Sequence, residues 1–475
     1  MTIATLVWRA VHRLSRVARR YSWRNLTAPQ LFVVSFLILI GLGTAGLRLL
    51  PGLYNGTPLS WLDSLFTATS AVCVTGLTIV DTATYFTVAG QAWLLLLIQL
   101  GGLGMLSFTT LIIRAFGGRL PMQHELLSRS VAEATPHLDY HKVLRDAVVF
   151  TFVFETAGAT LLYLCWIPRL GLMDALWPAW FHSISAFCNA GFSTFSDSLM
   201  QFADSPGTLM VVMVLIVVGG IGFLTIEEIL EWVRARRQTR VFRFSIHTQL
   251  VLVMTAVLIV GGWVGLTVFE WNVSLARFSV VDRLLNGLFM SITPRTAGFN
   301  TIDYGQATDS ANFLTILLMS IGGSPGSIAG GLKTTTVALL GLLAWSRLCG
   351  YEVAVLNGRT IPEETVQRAV GLFVLMFGVV TVAIFVYTTT ELAWVAPTTT
   401  SSHFLRVMFE AASALNTVGL SMGLTPELSE MGRAVTIGLM ILGRVGPLTF
   451  AAALARRHVI AVRKFRYAYE DVAIG

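Results

Sequence analysis

One short pattern recurs four times along this 475-residue chain, and it is the part of the chain best suited to holding an ion. It reads Phe66-x3-Ser70-Ala71-x4-Gly76-Leu77-Thr78. It returns as Phe181-x3-Ser185-Ala186-x4-Gly191-Phe192-Ser193 and as Phe409-x3-Ser413-Ala414-x4-Gly419-Leu420-Ser421. A looser copy is Leu288-x3-Ile292-Thr293-x4-Gly298-Phe299-Asn300. From glycine to glycine the steps are about 115, 107 and 121 residues, the size of a domain-like unit rather than a solenoid turn. A second glycine cluster trails each one by about 24 to 28 residues: Gly101-Gly102-Leu103-Gly104, Gly219-Gly220-Ile221-Gly222, Gly322-Gly323 and Gly443-Arg444-Val445-Gly446.

The chemistry this spacing predicts is cation coordination by backbone oxygen. A short helix ending just ahead of each glycine presents the partial negative charge of its last carbonyls, which favours a cation beyond it. The residues that follow are Val74-Thr75-Gly76, Asn189-Ala190-Gly191, Thr296-Ala297-Gly298 and Thr417-Val418-Gly419. Each triplet is placed to aim carbonyls at a shared axis, and a ring of such oxygens replaces an ion's hydration shell. Glycine is required where four backbones converge, because a Cβ would crowd the axis or forbid the dihedrals. With one glycine per loop, the filter is expected to be shorter than one built from T-V-G-Y-G, with one dominant ring and weaker intrinsic selectivity. The plainer reading, glycines that only tighten helix packing, does not account for the fourfold spacing.

Such loops need a bilayer around them, and the composition supplies one. Hydrophobic residues make up 55% and charged residues 12%, which excludes an ordinary soluble domain. Apolar runs long enough to cross the membrane are predicted at 31–50 and 92–114, 145–168 and 208–230, 248–270 and 311–346, and 369–395 and 433–455. The first is too long for a signal peptide. Between the members of each pair lies a segment too short to cross, at about 60–73, 178–188, 281–292 and 403–415, read as a re-entrant pore helix. The expected fold is all-α: four fused span–pore helix–span repeats around one pseudo-fourfold pore, with eight transmembrane helices and four pore helices. The divisions are a basic segment at 1–26, repeat 1 at 27–116, a linker with repeat 2 at 117–232, repeat 3 at 233–350, repeat 4 at 351–456 and a basic tail at 457–475.

The charge of +7 is distributed as the positive-inside rule requires. Basic clusters occupy 9–24, 114–145, 234–243, 347–368 and 456–466, while neither Lys nor Arg occurs between Arg48 and Arg114 or between Arg169 and Arg234. Both termini are therefore expected in the cytoplasm, with the bilayer rather than nucleic acid as the basic residues' partner. The N-terminal arginines from Arg9 to Arg24 have helical spacing and are expected either on the inner leaflet or against a regulatory partner. Cys73, Cys165, Cys188 and Cys349 lack metal-ligand spacing and read as small buried thiols.

The run Gly322-Gly323-Ser324-Pro325-Gly326-Ser327-Ile328-Ala329-Gly330-Gly331-Leu332-Lys333-Thr334-Thr335-Thr336 cannot stay a regular helix in lipid. It must line a cavity, where water and hydroxyls satisfy the freed backbone. Lying midway through its span, below the filter, it is expected to be a gate. Arg444 falls at corresponding depth in the last span and is expected to hold that loop through backbone carbonyls; the competing reading pairs it with Glu155 or Glu410. Lys333 either serves the gate or snorkels to the cytoplasmic edge. Arg295, beside Pro294, is expected to brace the third loop, since a cation facing the pathway would repel the ion.

Two rival functions are testable. A sodium- or proton-coupled symporter would use intramembrane carboxylates, of which Glu155 is the one well inside a span. A serine hydrolase would use Ser324 on its glycine-rich turn, but that needs a base at the same depth. His182 and His403 belong instead to the outward pore helices, and changes at His182 are expected to leave potassium-dependent growth intact.

The four loops, the run Gly322–Thr336, the stretch Thr417-Val418-Gly419-Leu420-Ser421-Met422-Gly423-Leu424-Thr425-Pro426-Glu427-Leu428 and the closing Gly443-Arg444-Val445-Gly446-Pro447-Leu448-Thr449 resemble the Trk/Ktr/HKT potassium transporter superfamily over about residues 27–455. The short N-terminus is more similar to Ktr membrane subunits (KtrB) than to TrkH. The resemblance implies a potassium-uptake subunit of the cell (inner) membrane and a homodimer with one pore per protomer. It further implies a cytoplasmic nucleotide-binding ring of RCK type (KtrA-like), with the nucleotide on that partner and potassium as the ion carried here. It assigns potassium coordination to the glycines matching Gly76, Gly191, Gly298 and Gly419, gating to the loop 322–336, and closure to the arginine matching Arg444. Some relatives that favour sodium carry serine at the first glycine; Gly76 implies potassium. Two departures stand out: Val72-Cys73-Val74 replaces the threonines common in relatives, and the third loop lacks the Ser-Ala pair.

Overall fold

The computed structural model describes residues 28–104, 140–238, 242–351, 353–356, 359–391 and 400–446. The basic N-terminal segment, the C-terminal tail and the linker ahead of repeat 2 lie outside these residues.

Each repeat begins with a long apolar helix: α1 (Ala28–Leu49), α4 (Tyr140–Leu170), α8 (Ile246–Glu270) and α12 (Glu363–Glu391), all long and apolar enough to cross a membrane. Their outward faces carry large side chains such as Val253, Val257, Val264, Phe373, Phe377 and Phe385, which suit lipid rather than water. The pore helices are α2 (Trp61–Val72), α5 (Leu176–Phe187), α9 (Val280–Ile292) and α13 (Thr400–Leu415), within a few residues of the predicted segments. Two of them start with the same cap. The Ser60 and Ser279 hydroxyls accept from the amides of Asp63 and Asp282, and those acidic residues sit in the helix's first turn where the dipole favours them.

The second spans differ from expectation. In repeat 2 the single crossing predicted at 208–230 is two helices, α6 (Pro206–Ile221) and α7 (Phe223–Arg237), bent by 102° at Gly222. Gly222 has φ +97°, a conformation open to glycine and strained for a side chain. Repeat 3 breaks between α10 (Asp309–Met319) and α11 (Thr334–Leu348), as its composition requires. The second spans of repeats 1 and 4 are α3 (Val88–Leu103) and α14 (Glu430–Val445) within the described residues. Among the described residues the all-helical pattern has one small exception, an antiparallel pair of β1 (Val355–Leu356) and β2 (Arg359–Thr360) in the basic connection between repeats 3 and 4.

The glycine clusters of the second spans have a common packing role. A Cβ on Gly101 would collide with the carbonyl of Val72, one on Gly219 with that of Phe187, and one on Gly443 with that of Leu415. Each glycine therefore lets its span press directly on the last turn of its own pore helix. Gly322 departs from this and lies against Gly330 and Leu332 of the loop that follows it.

Clasps at the opposite ends of the spans hold each repeat closed. Glu270 at the end of α8 accepts from the amide and hydroxyl of Thr308 at 2.8 and 2.7 Å, where Thr308 caps α10. Glu391 at the end of α12 does the same for Ser429, the cap of α14, at 3.0 and 2.6 Å. In repeat 1 the Thr87 cap bonds to the carbonyls of Gly52 and Leu53. In repeat 2 Arg169 bonds to Gln201 O and Asp204, holding the Asp204 carboxyl below its ordinary pKa. The Arg433–Asp63 pair, 2.7 Å, joins repeat 4 to repeat 1 and closes the circle. Replacing the buried Glu270 with alanine leaves two Thr308 donors unpaired, which should cost about 2–3 kcal/mol. A melting temperature for detergent-purified Glu270→Ala equal to that of the parent would refute the clasp.

Candidate functional site: the four loops and the loop beneath them

Immediately beyond each pore helix the backbone repeats one conformation. Val74, Asn189, Thr296 and Thr417 are left-handed, with φ of 55°, 56°, 68° and 51°. Gly76, Gly191, Gly298 and Gly419 are also left-handed, with φ of 90°, 69°, 81° and 93°. The residue between them in each loop is not. This alternation turns successive carbonyls to the same side, where an extended strand would alternate them. Left-handed Val74, Thr296 and Thr417 are β-branched, so each costs on the order of 1–3 kcal/mol, and such strain persists where the surroundings enforce it.

The four loops meet in a ring. An ideal Cβ on Gly76 would lie 3.1 Å from the Gly191 Cα, one on Gly191 2.9 Å from the Gly298 Cα, one on Gly298 3.3 Å from the Gly419 Cα, and one on Gly419 3.1 Å from the Gly76 Cα. The carbonyls preceding these glycines fill the same spaces: Ala190 O abuts Gly76, Ala297 O abuts Gly191, Val418 O abuts Gly298 and Thr75 O abuts Gly419. The four glycines and the residues before them, eight of the twelve predicted, are thus brought together in one ring, in chain order.

The pore helices occupy the loops' amide donors and leave the carbonyls to the axis. Thr75, Ala190 and Val418 donate their amides to the carbonyls of Ser70, Ser185 and Ser413 at 2.8, 2.7 and 2.9 Å. The serine hydroxyls hold the next turn. Ser70 and Ser413 accept from Gly76 N and Gly419 N at 3.1 and 3.0 Å, and Ser185 donates to Phe192 O at 2.8 Å. In the third loop, which lacks the serine, Thr293 takes over by donating to Phe299 O at 2.5 Å. The buried side chains of Thr75, Asn189, Thr296 and Thr417 have polar atoms without a protein partner, one from each repeat. Arg295 points away from this ring, with Nη2 on Thr255 Oγ1 of α8 at 3.3 Å.

Directly beneath the ring, the loop from Gly322 to Lys333 is wedged among the other three repeats. It bonds to itself through Gly322 N to Leu332 O (2.8 Å), Thr334 N to Gly323 O (3.1 Å), Ser327 Oγ to Ser324 O (2.6 Å) and Ser324 Oγ with Thr334 Oγ1 (3.0 Å). Toward repeat 2, Ser324 N and Ile328 N donate to Gly220 O and Gly219 O, Phe223 N donates to Gly326 O, and Pro325 O abuts Gly222. Toward repeat 4, Gly331 N reaches Gly443 O at 3.3 Å, Gly330 lies against the Thr417 side chain and Gly331 against Asn416. Side chains at these last two positions would strike the fourth loop at Thr417 and Asn416.

Arg444 is 2% exposed and reaches two repeats at once. Its Nη1 donates to Ile328 O in the loop and its Nη2 to Gly101 O of repeat 1, the latter at 2.7 Å. Its partners are carbonyls, whereas Glu155 accepts from Gln99 and Glu410 from Ser421 and Thr425. Lys333 turns inward and donates to Ala329 O at 2.6 Å. The sequence places Ile328 and Ala329 in this loop but does not single them out as the acceptors for Arg444 and Lys333. An apolar residue contributing only its carbonyl leaves no mark in the sequence. Ser324 Oγ is bonded to Thr334 rather than to a base, so the hydrolase reading has no chemistry to rest on.

The comparisons with known proteins agree with this architecture. A family model described as TrkH, cation transport protein, matches residues 2–459. The chain is 36% identical over 453 residues to the potassium/sodium uptake protein NtpJ of Enterococcus hirae, covering 95% of this chain and 98% of that protein. It is also 36% identical over 447 residues to the Ktr system potassium uptake protein B of Bacillus subtilis, covering 93% and 96%. The crystal structure of the potassium transporter TrkH from Vibrio parahaemolyticus superposes with a TM-score of 0.69 at 19% identity, covering 89% of this chain and 83% of that one. With a ring of four pore loops inside a bundle of membrane-spanning helices, and a family match across nearly its whole length, this multi-pass membrane protein belongs to the TrkH family of cation transport proteins.

Proposed function

We propose that this chain is a potassium-uptake subunit of the cell membrane that conducts the ion, channel-like, through the carbonyl ring of its four loops. The carrying observation is the closed circle of glycines, each abutting the carbonyl of the next repeat. An ion there exchanges water oxygens for backbone oxygens held in place by the pore-helix serines and Thr293. The relatives' printed names, potassium uptake and potassium/sodium uptake, support potassium as the ion, and the single-glycine loops suit modest discrimination against sodium.

The loop 322–336 acts as the gate. In the conformation described it lies under the filter with Gly330 against Thr417, and the Arg444 guanidinium adds a fixed positive charge that repels an approaching cation. Opening withdraws the loop from repeats 1, 2 and 4 and frees Arg444 from Ile328 O. Names such as protein B of a Ktr system support a multi-component assembly. The reading therefore includes a homodimer with both termini in the cytoplasm, controlled by an RCK-type ring that carries the nucleotide. Conduction needs no coupled proton or sodium, and Glu155 serves the packing of repeats 1 and 2 through Gln99 and Cys188.

Rubidium uptake by a potassium-uptake-deficient bacterium tests both elements. Gly298→Ser or Gly76→Ser places a Cβ against a neighbouring loop at positive φ, a penalty of about 2 kcal/mol that should lower uptake roughly thirtyfold. Parental uptake by both variants would sink the filter. Arg444→Ala removes a charge-assisted tie between loop and bundle, so uptake without the regulatory subunit should rise roughly tenfold. An unchanged or lower rate, at equal membrane abundance, would show that Arg444 does not hold the pathway shut.

A further inference from the structure

The residue after the motif's leading aromatic or leucine in the four pore helices is Thr67, His182, Phe289 and Glu410, and in repeats 2 and 4 it reaches the exit of its own loop. All four are buried. His182 Nδ1 lies 2.8 Å from Pro178 O and Nε2 lies 2.9 Å from Ser193 Oγ. A carbonyl can only accept, so Nδ1 carries the proton and Nε2 of the neutral ring accepts from the Ser193 hydroxyl, whose other acceptor, Ser198 O, lies farther off at 3.3 Å. Ser193 Oγ also receives the Phe195 amide at 2.9 Å. In repeat 4 the Glu410 carboxylate accepts from Ser421 Oγ at 2.9 Å and from Thr425 Oγ1, and Ser421 Oγ receives the Gly423 amide at 3.0 Å.

Ser193 and Ser421 stand at the same place, two residues beyond Gly191 and Gly419. The two struts are therefore equivalent by the repeat's pseudo-symmetry, although one is built from an imidazole and the other from a carboxylate. Repeats 1 and 3 have no such strut: the Thr67 hydroxyl has no protein partner, and Phe289 offers no polar atom. Because the loops run in chain order around the ring, repeats 2 and 4 face each other across the axis. His182 is further wedged by Phe195 stacked at 4.8 Å, Trp166 edge-on at 5.1 Å and Phe299, the residue after Gly298, at 5.9 Å. Trp166 is itself fixed by its indole N–H on Thr208 Oγ1 at 3.0 Å.

We propose that His182 and Glu410 are a pair of positioning residues that fix the width of the filter along one diagonal, and so set discrimination between potassium and sodium. The inference rests on the conduction reading above and deepens it. Carbonyls held at potassium's radius discriminate only if the loop cannot shrink around the smaller ion. The struts resist that contraction on two opposite loops, while the unstrutted loops 1 and 3 follow their neighbours. His182 thereby leaves the dispensable role that its position in the sequence suggested.

The test measures rubidium and sodium uptake by purified protein in proteoliposomes, with melting temperature as the control for folding. Ser193→Ala and Ser421→Ala each remove a hydroxyl and little else, and each should lower the rubidium-to-sodium ratio about fivefold. His182→Phe should match Ser193→Ala, and His182→Gln, whose amide oxygen restores an acceptor, should recover most of the ratio. Thr67→Val, at the unstrutted position of repeat 1, should leave the ratio unchanged. The struts are refuted if Ser193→Ala and Ser421→Ala shift melting temperature without moving the ratio, or if Thr67→Val moves it equally. Gly191→Ser separates the two readings. If it alters the ratio while the strut variants do not, only the struts fail; if neither alters it, the conduction reading falls and the struts with it.

Discussion

The structure depends on four stretches of backbone approaching one another more closely than any side chain permits. Around the ring, each glycine occupies the space against which the next repeat presses a carbonyl oxygen and a glycine Cα. Everything else serves to hold those oxygens together despite their mutual repulsion and despite the left-handed dihedrals that turn them inward. The reward is a polar ring inside a low-dielectric bundle, where a cation interacts far more strongly than it would in water.

Support comes from outside inward. The apolar first spans face lipid, and those of repeats 3 and 4 clasp the start of their second spans through a glutamate at their ends. The second spans press on the pore helices through glycines that expose bare backbone to bare backbone. The pore helices in turn hold the loops by amide and hydroxyl bonds. No layer can loosen without releasing the next, which is how strain at the ring can be tolerated.

The break in repeat 3 reuses the same packing for a different end. Where the other repeats set a glycine against a pore-helix carbonyl, Gly322 faces its own loop, and the freed chain fills the space under the ring of loops. Its backbone groups are satisfied by Gly219, Gly220, Gly443 and Arg444, so the bonds that hold the loop come from two separate repeats, the second and the fourth. A loop held by many modest hydrogen bonds, each worth about 1 kcal/mol net, can move when a few of them are exchanged for water.

By itself the sequence determined the class, the fourfold repeat and which four loops meet. Spans, pore helices and the triplets around Gly76, Gly191, Gly298 and Gly419 were legible because hydrophobic length and glycine spacing are local properties, written in consecutive residues. The sharp bend at Gly222 was not legible, since an apolar run reads as one helix unless another element, here Pro325 and Gly326, arrives to reward the break. The sequence pointed Arg444 to carbonyls of the loop but could not say which, nor reach Gly101, because Ile328 and Gly101 contribute only carbonyls and lie 116 and 343 residues away. The pairing of His182 with Ser193 and of Glu410 with Ser421 was hidden for a similar reason. A histidine and a glutamate become equivalent only when the repeat folds and sets each against the same serine. Local composition decided which segments enter the membrane, and tertiary structure decided which backbone oxygens those segments turn toward one another.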